Sequence, residues 1–133
     1  MKKISIILVI IWMIVIFVFS NMNGTLSSAQ SDGIVTKIAD IINYSGNLDT
    51  SIVIIRKLAH FIEYLILGIL VLNACKYNSV KNMIVLSIII CILYACLDEI
   101  HQLFILDRSG NILDVCIDTI GSLCGIGIIR LRK

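Results

Sequence analysis

Four apolar stretches set the limits on how this chain can fold. They cover residues 4–19, 58–75, 83–97 and 112–129, and each is 15 to 18 residues long. A helix needs about 20 mostly apolar residues to cross the hydrocarbon core of a bilayer, so flanking residues must extend each stretch. The sequence predicts an all-α membrane protein whose single domain, 1–133, has four transmembrane helices at about 4–20, 57–75, 82–99 and 112–130.

The composition supports a membrane protein over a water-soluble domain. The chain has 133 residues, of which 59% are apolar and 15% are charged, and its mean hydropathy is +1.01. A soluble domain of this size cannot bury that much apolar surface, so lipid must cover much of it. The net charge of +2 comes from scattered basic residues, which argues against a nucleic-acid partner.

The charged residues predict how the helices are oriented. All nine acidic residues lie in or beside two of the three connections between helices. The other connection and the two termini hold seven of the eleven basic residues: Lys2, Lys3, Lys76, Lys81, Arg130, Arg132 and Lys133. Short segments rich in Lys and Arg stay in the cytoplasm, so we expect both termini inside and the acidic residues at the outer face.

The first apolar stretch has the basic flank of a signal peptide, but its far end does not fit one. The first small-residue cleavage candidate, Ser27-Ser28-Ala29, comes ten residues after Phe19. A cleavage site would follow the apolar run more closely. We therefore expect a retained first membrane helix.

The long outer connection, residues 20–57, contains a helical pattern of its own. Ser31 and Asp32 are candidate N-caps, Gly46 ends the pattern, and the apolar positions between them are Ile34, Val35, Ile38, Ile41 and Ile42. This spacing predicts a short amphipathic helix on the membrane surface. Asp49 or Ser51 is a candidate cap for a further helix that continues into the second span.

Cysteine and glycine patterns are assigned to packing. The five cysteines lie in or at the ends of apolar stretches and form no C-x-x-C pair, which argues against disulfides and a cysteine metal site. Gly121 and Gly125 form a G-x-x-x-G pattern, which permits close helix approach. We favour packing within the chain over a dimer contact, and a homodimer remains open.

A stripe of polar residues marks the second span. The residues that form it are Lys57, His60, Glu63 and Tyr64. His60 follows Lys57 by three residues, and Glu63 and Tyr64 follow His60 by three and four, so all four share one helix face. Ionisable groups inside a membrane helix are costly and face the protein interior or a water-filled cavity. We interpret this stripe as functional.

Further polar residues follow the third span and interrupt the fourth. Asp98, Glu99, His101 and Gln102 close the third span, where a continued helix would place Asp98 below His101 and Gln102. Asp114 and Asp118 share one face of the fourth helix, and their charges would repel unless a cation or a proton offsets them.

Two interpretations of these acidic residues stay open at the level of sequence. Arg56, Lys57 and Arg108 are the available cations on this side. One interpretation is an ion-pair network that locks the outer ends of the helices. The other is a ligand-binding role for Asp114 and Asp118.

No motif in the sequence assigns a reaction. There is no H-E-x-x-H and no G-x-S-x-G, so the spacing signals for a zinc enzyme and for a serine nucleophile are weak. No cofactor is predicted. The alternative is a divalent metal, with His60, Glu63, Glu99 and His101 as its ligands or as acid and base groups.

At these same positions the chain resembles the VanZ-like family. Three blocks carry the match: Arg56-Lys57-x-Ala59-His60-Phe61-x-Glu63-Tyr64-x-x-Leu67-Gly68, then Asp98-Glu99-x-His101-Gln102-x-Phe104, and then Arg108, Asp114, Asp118 and Gly121. The polar patch Ser20-Asn21-Met22-Asn23-Gly24 resembles a serine-rich segment of that family. Two departures are Leu106, where the family usually has proline, and Asp118, where it often has asparagine, which adds a charge that must be compensated.

The resemblance implies a multi-pass protein of the bacterial cytoplasmic membrane with its polar cluster facing outward. The family is named after a protein associated with low-level resistance to the glycopeptide teicoplanin, which acts at the outer leaflet on lipid-linked cell-wall precursor. We therefore expect an outer-leaflet pocket that binds a lipid headgroup, a cell-wall precursor or a glycopeptide. Its lining would be Lys57, His60, Glu63, Tyr64, Asp98, Glu99, His101, Gln102, Arg108, Asp114 and Asp118.

A binding protein is the favoured interpretation over an enzyme. The alternative is a membrane-embedded hydrolase or transferase, with or without a metal, that acts on a lipid-linked substrate. Transport through the bundle is the weakest hypothesis, because the inner halves of the spans carry little polarity beyond Asn73 and serine residues.

Overall fold

The structure is a bundle of four helices. The computed structural model describes residues 2–21, 33, 37, 48–105 and 110–131. Its helices are α1 (Lys2–Ser20), α2 (Leu48–Tyr77), α3 (Met83–Gln102) and α4 (Ile112–Leu131), and the described residues contain no strand. All four are long and apolar enough to cross a membrane, α2 through its part Val53–Tyr77. For the described residues, the predicted all-α fold with four helices long and apolar enough to span a membrane is confirmed.

Two parts of the fold prediction lie beyond what the described residues show. The amphipathic surface helix falls on residues 31–46, which, apart from Gly33 and Lys37, lie outside the described residues. The cytoplasmic position of both termini stays a prediction. The helix that enters the second span does run through residues 48–57, as its sequence pattern indicates.

The outer surfaces of the helices are apolar. Ile4 of α1 is 60% exposed and Leu97 of α3 is 61% exposed, and Ile10, Ile14, Leu93 and Ile120 are also open to the surroundings. A water-soluble monomer rarely exposes so continuous an apolar surface. These faces are suited to contact with lipid tails.

Glycines bring α2 and α4 into backbone contact. A Cβ atom on Gly121 would lie 2.4 Å from the carbonyl oxygen of Phe61, and one on Gly125 would lie 2.1 Å from that of Leu65. On the opposite helix, a Cβ atom on Gly68 would lie 2.3 Å from the carbonyl oxygen of Ser122. Only glycine fits at such distances. The G-x-x-x-G pattern therefore packs within the chain, as predicted.

The core lies between α1, α2 and α3. Its buried apolar residues are Ile16, Tyr64, Leu67, Val71, Cys75, Cys91 and Ala95. All five cysteines are free, and Cys75 and Cys91 fill space in this core. The prediction of free cysteines without disulfides is confirmed.

Two hydrogen bonds fasten α1 to its neighbours. The indole Nε1 of Trp12 donates to the carbonyl oxygen of Glu63 at 2.8 Å. The hydroxyl of Tyr94 donates to the carbonyl oxygen of Met13 at 2.6 Å. These two bonds join neighbouring residues of α1 to α2 and to α3, and they fix the position of α1 along the bundle axis.

The chain reverses sharply between α2 and α3. Ser79 has a φ of 58°, its N–H donates to the carbonyl of Lys76, and the N–H of Val80 donates to the carbonyl of Cys75. This is the Schellman arrangement that ends many helices. The reversal makes α2 and α3 antiparallel. Contacts of Ser20 with Asp98, Lys57 with Asp114 and Asn111 with Glu99 bring the end of α1, the first part of α2, the end of α3 and the start of α4 together at one end of the bundle.

Candidate functional site

Three helices bring a histidine and two carboxylates together near that end. His60 comes from α2, Asp98 from α3 and Asp118 from α4, and one potential ligand atom of each lies within 4.8 Å of the other two. Asp98 is 4% exposed and Asp118 is 0% exposed. We call these three residues the inner cluster. Asp118 lies six residues into α4, which places it about 9 Å along the helix from Ile112.

Asp118 is the most deeply buried ionisable group of the cluster. Neither of its carboxylate oxygens has a hydrogen-bond partner in the described part of the chain. Its Oδ1 lies 4.0 Å from Nδ1 of His60, which is too long for a hydrogen bond. Burying a carboxylate without hydrogen bonds is costly, so a residue with this cost is a candidate for function.

His60 faces a second carboxylate on its own helix. Its Nδ1 lies 3.9 Å from Oε2 of Glu63, three residues further along α2. The side chains of His60 and Glu63 are 15% and 18% exposed. The predicted stripe on α2 therefore does face the interior of the bundle at its His60 and Glu63 positions.

Asp98 is held in place by neutral donors. The hydroxyl of Ser20 donates to Asp98 Oδ2 at 2.8 Å, and Nε2 of Gln102 lies 3.3 Å from the same oxygen and from Ser20 Oγ. All three side chains are buried. These contacts orient the Asp98 carboxylate without neutralising its charge.

Asp114 has the cation that the stacked carboxylates require. Its Oδ1 forms an ion pair with Nζ of Lys57, which joins the outer ends of α2 and α4. The two side chains are 24% and 35% exposed, so solvent weakens this pair. The locking interpretation therefore applies to Lys57 and Asp114, whereas Asp118 lies outside this pair.

Glu99 anchors the start of the fourth helix. Its Oε2 accepts a 2.8 Å hydrogen bond from the backbone N–H of Asn111. Asn111 in turn caps the helix, because its Oδ1 accepts from the N–H of Leu113 at 3.0 Å. Glu99 thus fixes where α4 begins.

The two histidines do not converge. The ring of His101 lies 4.8 Å from the ring of Phe17, and its Nε2 is 3.3 Å from Oδ1 of Asn21, on the α1 side. A helix turns about 100° per residue, so His101 cannot share the direction that Gln102 takes toward Asp98. The alternative ligand set His60, Glu63, Glu99 and His101 stays a prediction, while the group with metal-ligand spacing in the described part of the chain is the inner cluster.

Tyr64 and Arg108 are the remaining two residues of the predicted pocket lining. Tyr64 is fully buried in the core, with its ring 6.2 Å from that of Tyr94, and its hydroxyl has no hydrogen-bond partner among the described residues. Arg108 lies outside the described residues.

Sequence reasoning left three contributors out of the candidate site. They are Ser20, Asn21 and Asn111, which contact Asp98, His101 and Glu99, respectively. Ser20 and Asn21 belong to the polar patch after the first span, and Asn111 belongs to a turn before the fourth. The signal in the sequence that could have identified them is that they are small polar residues directly at helix ends.

An apolar cleft lies away from the inner cluster. It has a volume of about 240 Å³, and its lining includes Val9, Val71, Cys75 and Ile90. Cys75 lies two residues before the end of α2 that is remote from His60. This cleft supplies no polar group for recognition beyond Asn78, so it is not part of the candidate site.

Helices long and apolar enough to span a membrane, with a buried cluster of a histidine and two carboxylates near one end, are typical of a small multi-pass membrane protein. The chain belongs to the VanZ family. The family model described as VanZ/LLP1 matches residues 5–133, which is essentially the whole chain. Comparisons with curated proteins and with solved structures found no match. The resemblance to this family is confirmed.

Proposed function

We propose that this protein binds a polar headgroup at the outer leaflet of a bacterial cytoplasmic membrane. The ligand would be a lipid headgroup, a lipid-linked cell-wall precursor or a glycopeptide, and binding would change susceptibility to teicoplanin. The observation that carries the proposal is the inner cluster itself. Asp98 and Asp118 are buried, and they lie about 6 Å from the end of α3 and about 9 Å from the start of α4, a depth that a headgroup can reach.

The charge at this end favours a ligand that carries an amine. The described side chains here include five carboxylates, Glu63, Asp98, Glu99, Asp114 and Asp118, and two cations, Arg56 and Lys57. Five minus two leaves three negative charges when His60 is neutral. Carboxylates bind ammonium groups through charge-assisted hydrogen bonds, while Lys57 at the rim is suited to phosphate or carboxylate.

The outward orientation rests on the basic residues at the opposite end. In the described part of the chain these include Lys2, Lys3, Lys76, Lys81 and Arg130. Their excess on one side supports a cytoplasmic location for that end. The acidic end would then open to the outer leaflet, where teicoplanin and lipid-linked precursor are found.

The test compares drug susceptibility in a host that lacks the gene. We expect deletion to lower the inhibitory concentration of teicoplanin more than that of vancomycin. The wild-type gene and Lys81→Gln, an exposed change at the basic end, should restore it, while Glu63→Gln should not. Unchanged teicoplanin susceptibility in the deletion strain would remove the resistance part of the proposal.

Headgroup binding has a separate measurement. Purified protein in nanodiscs should retain phosphatidylethanolamine over phosphatidylglycerol in native mass spectrometry, because only the former carries an amine. Asp118→Asn should reduce that preference and Lys81→Gln should leave it unchanged. Equal retention of the two lipids by the wild-type protein would contradict the amine-binding role.

A further inference from the structure

The inner cluster contains a donor set that does not require an organic ligand. His60 offers an imidazole nitrogen, and Asp98 and Asp118 each offer a carboxylate oxygen. We infer that these three residues bind one divalent transition-metal ion, for which Zn²⁺ is the natural probe. The inference goes beyond headgroup binding because it concerns an ion at the same cluster, and Zn²⁺ binding by purified protein is measured separately from lipid retention.

The spacing is close to that of a metal site. Ligand nitrogens and oxygens lie about 2.0–2.2 Å from Zn²⁺, so two ligands of one ion are at most about 4.4 Å apart. The three donor atoms here lie within 4.8 Å of one another. Small side-chain rotations therefore suffice to bring them onto one ion.

The burial of Asp118 is the second, independent observation. Its carboxylate is 0% exposed, and neither oxygen has a hydrogen-bond partner in the described part of the chain. The ammonium group of Lys57 pairs with Asp114, which lies one helical turn before Asp118. A divalent ion would offset the charges of Asp98 and Asp118 together, and it would replace the hydrogen bonds that Asp118 lacks.

The surroundings of Asp98 resemble the support that metal ligands receive. Ser20 and Gln102 both contact Oδ2 of Asp98 from buried positions. Such outer contacts orient a ligating carboxylate and are a regular part of metal sites.

The donor types select among ions. An imidazole nitrogen suits Zn²⁺ and other transition metals, whereas Mg²⁺ and Ca²⁺ prefer sites made only of oxygen. Three protein ligands also leave a coordination position open, as in sites where the metal contacts a further group. The site should therefore discriminate against Mg²⁺ even in excess.

The experiment is a titration of chelator-treated protein in detergent with Zn²⁺ alone. We expect one Zn²⁺ per chain by elemental analysis, with no displacement by excess Mg²⁺. Asp118→Asn and His60→Gln should each weaken binding by more than about 10-fold, the lower bound for losing even an outer contact. Their controls, Lys81→Gln and Tyr77→Phe, at exposed positions at the opposite end of the bundle, should bind as the wild type does.

A second readout protects the test against misfolding. Zn²⁺ should raise the unfolding temperature of the wild type and of both controls, because an ion that binds the folded state stabilises it. It should leave that of Asp118→Asn and His60→Gln unchanged, with helix content confirmed by circular dichroism. The inference is overturned if the wild type binds no stoichiometric Zn²⁺, if Mg²⁺ competes equally, or if Asp118→Asn and His60→Gln bind as well as their controls.

Discussion

The Ser20 hydroxyl donates a 2.8 Å hydrogen bond to Asp98 Oδ2 across 78 residues of sequence. Ser20 is the last residue of α1, and Asp98 lies four residues before the end of α3. Both are buried. Helix α1 therefore takes part in the candidate site as well as in the apolar core, where Ile16 is fully enclosed.

The backbone contact of α2 with α4 predicts a strong effect of one added methyl group. Gly125→Ala places a Cβ atom against the carbonyl oxygen of Leu65, so we expect a loss of about 1–3 kcal/mol of stability, the usual cost of overpacking. Unfolding of the detergent-solubilised protein with added denaturing detergent measures it.

Gly127→Ala is the matched control for that change. Gly127 lies on the same helix, and a Cβ atom there meets nothing within 4 Å. Alanine is a better helix former than glycine by up to about 1 kcal/mol, so this variant should be as stable as the wild type or slightly more so. Equal destabilisation by both variants would contradict the contact with α2.

Two aspartates on one helix predict opposite changes in stability. In chelator-treated protein, Asp118→Asn replaces a buried carboxylate that has no hydrogen bond to any described residue with a neutral amide, so we expect a gain on the order of 1 kcal/mol. Asp114→Asn breaks the partly exposed pair with Lys57 and should cost about 0–1 kcal/mol. Thermal unfolding compares the two. A loss of stability in Asp118→Asn would mean that its charge is already compensated.

Most of the fold was predictable because the distribution of apolar residues along the chain determines where the helices lie. The four apolar stretches and their lengths predict four spanning helices, and the spacing of Gly121 and Gly125 predicts a close helix contact. The partner of that contact was not predictable. Identification of α2 required the observed distances to Phe61 and Leu65, since a sequence does not show which helices are adjacent.

The site was predictable in its residue types but less so in its grouping. Helical spacing placed His60 and Glu63 on one face, and it placed Asp114 and Asp118 on another, where a cation or a proton was expected to offset their charges. It did not separate His101 from Asp98, because rotation about the axis of α3 relative to α1 decides which residue points inward. The role of Ser20 depends on the height at which α1 crosses, which no local pattern encodes.

The attachment of α1 predicts a measurable role for one hydroxyl group. Tyr94→Phe removes the hydrogen bond to the carbonyl oxygen of Met13, which should cost about 0.5–1.5 kcal/mol. The sole tryptophan, Trp12, lies next to that carbonyl, so its fluorescence reports the local change. Tyr77→Phe, at an exposed position at the end of α2, should leave both stability and emission unchanged. Identical spectra for all three proteins would contradict the fastening role.

The proposed orientation predicts which end of the bundle is accessible from outside the cell. Asn111 and Ser79 are exposed residues at opposite ends. In intact cells, a membrane-impermeant maleimide should label Asn111→Cys and not Ser79→Cys. The five native cysteines lie within the spanning segments, so the wild type measures the background. Labelling of Ser79→Cys alone would reverse the orientation.

The spacing between His60 and Asp118 depends on a residue without a side chain. Gly121 sits three positions after Asp118 and rests on the carbonyl of Phe61, the neighbour of His60. Any larger residue there would drive the two helices apart and widen the gap between imidazole and carboxylate. Gly121 thus sets the distance between the two ligand side chains, although it does not itself belong to the inner cluster.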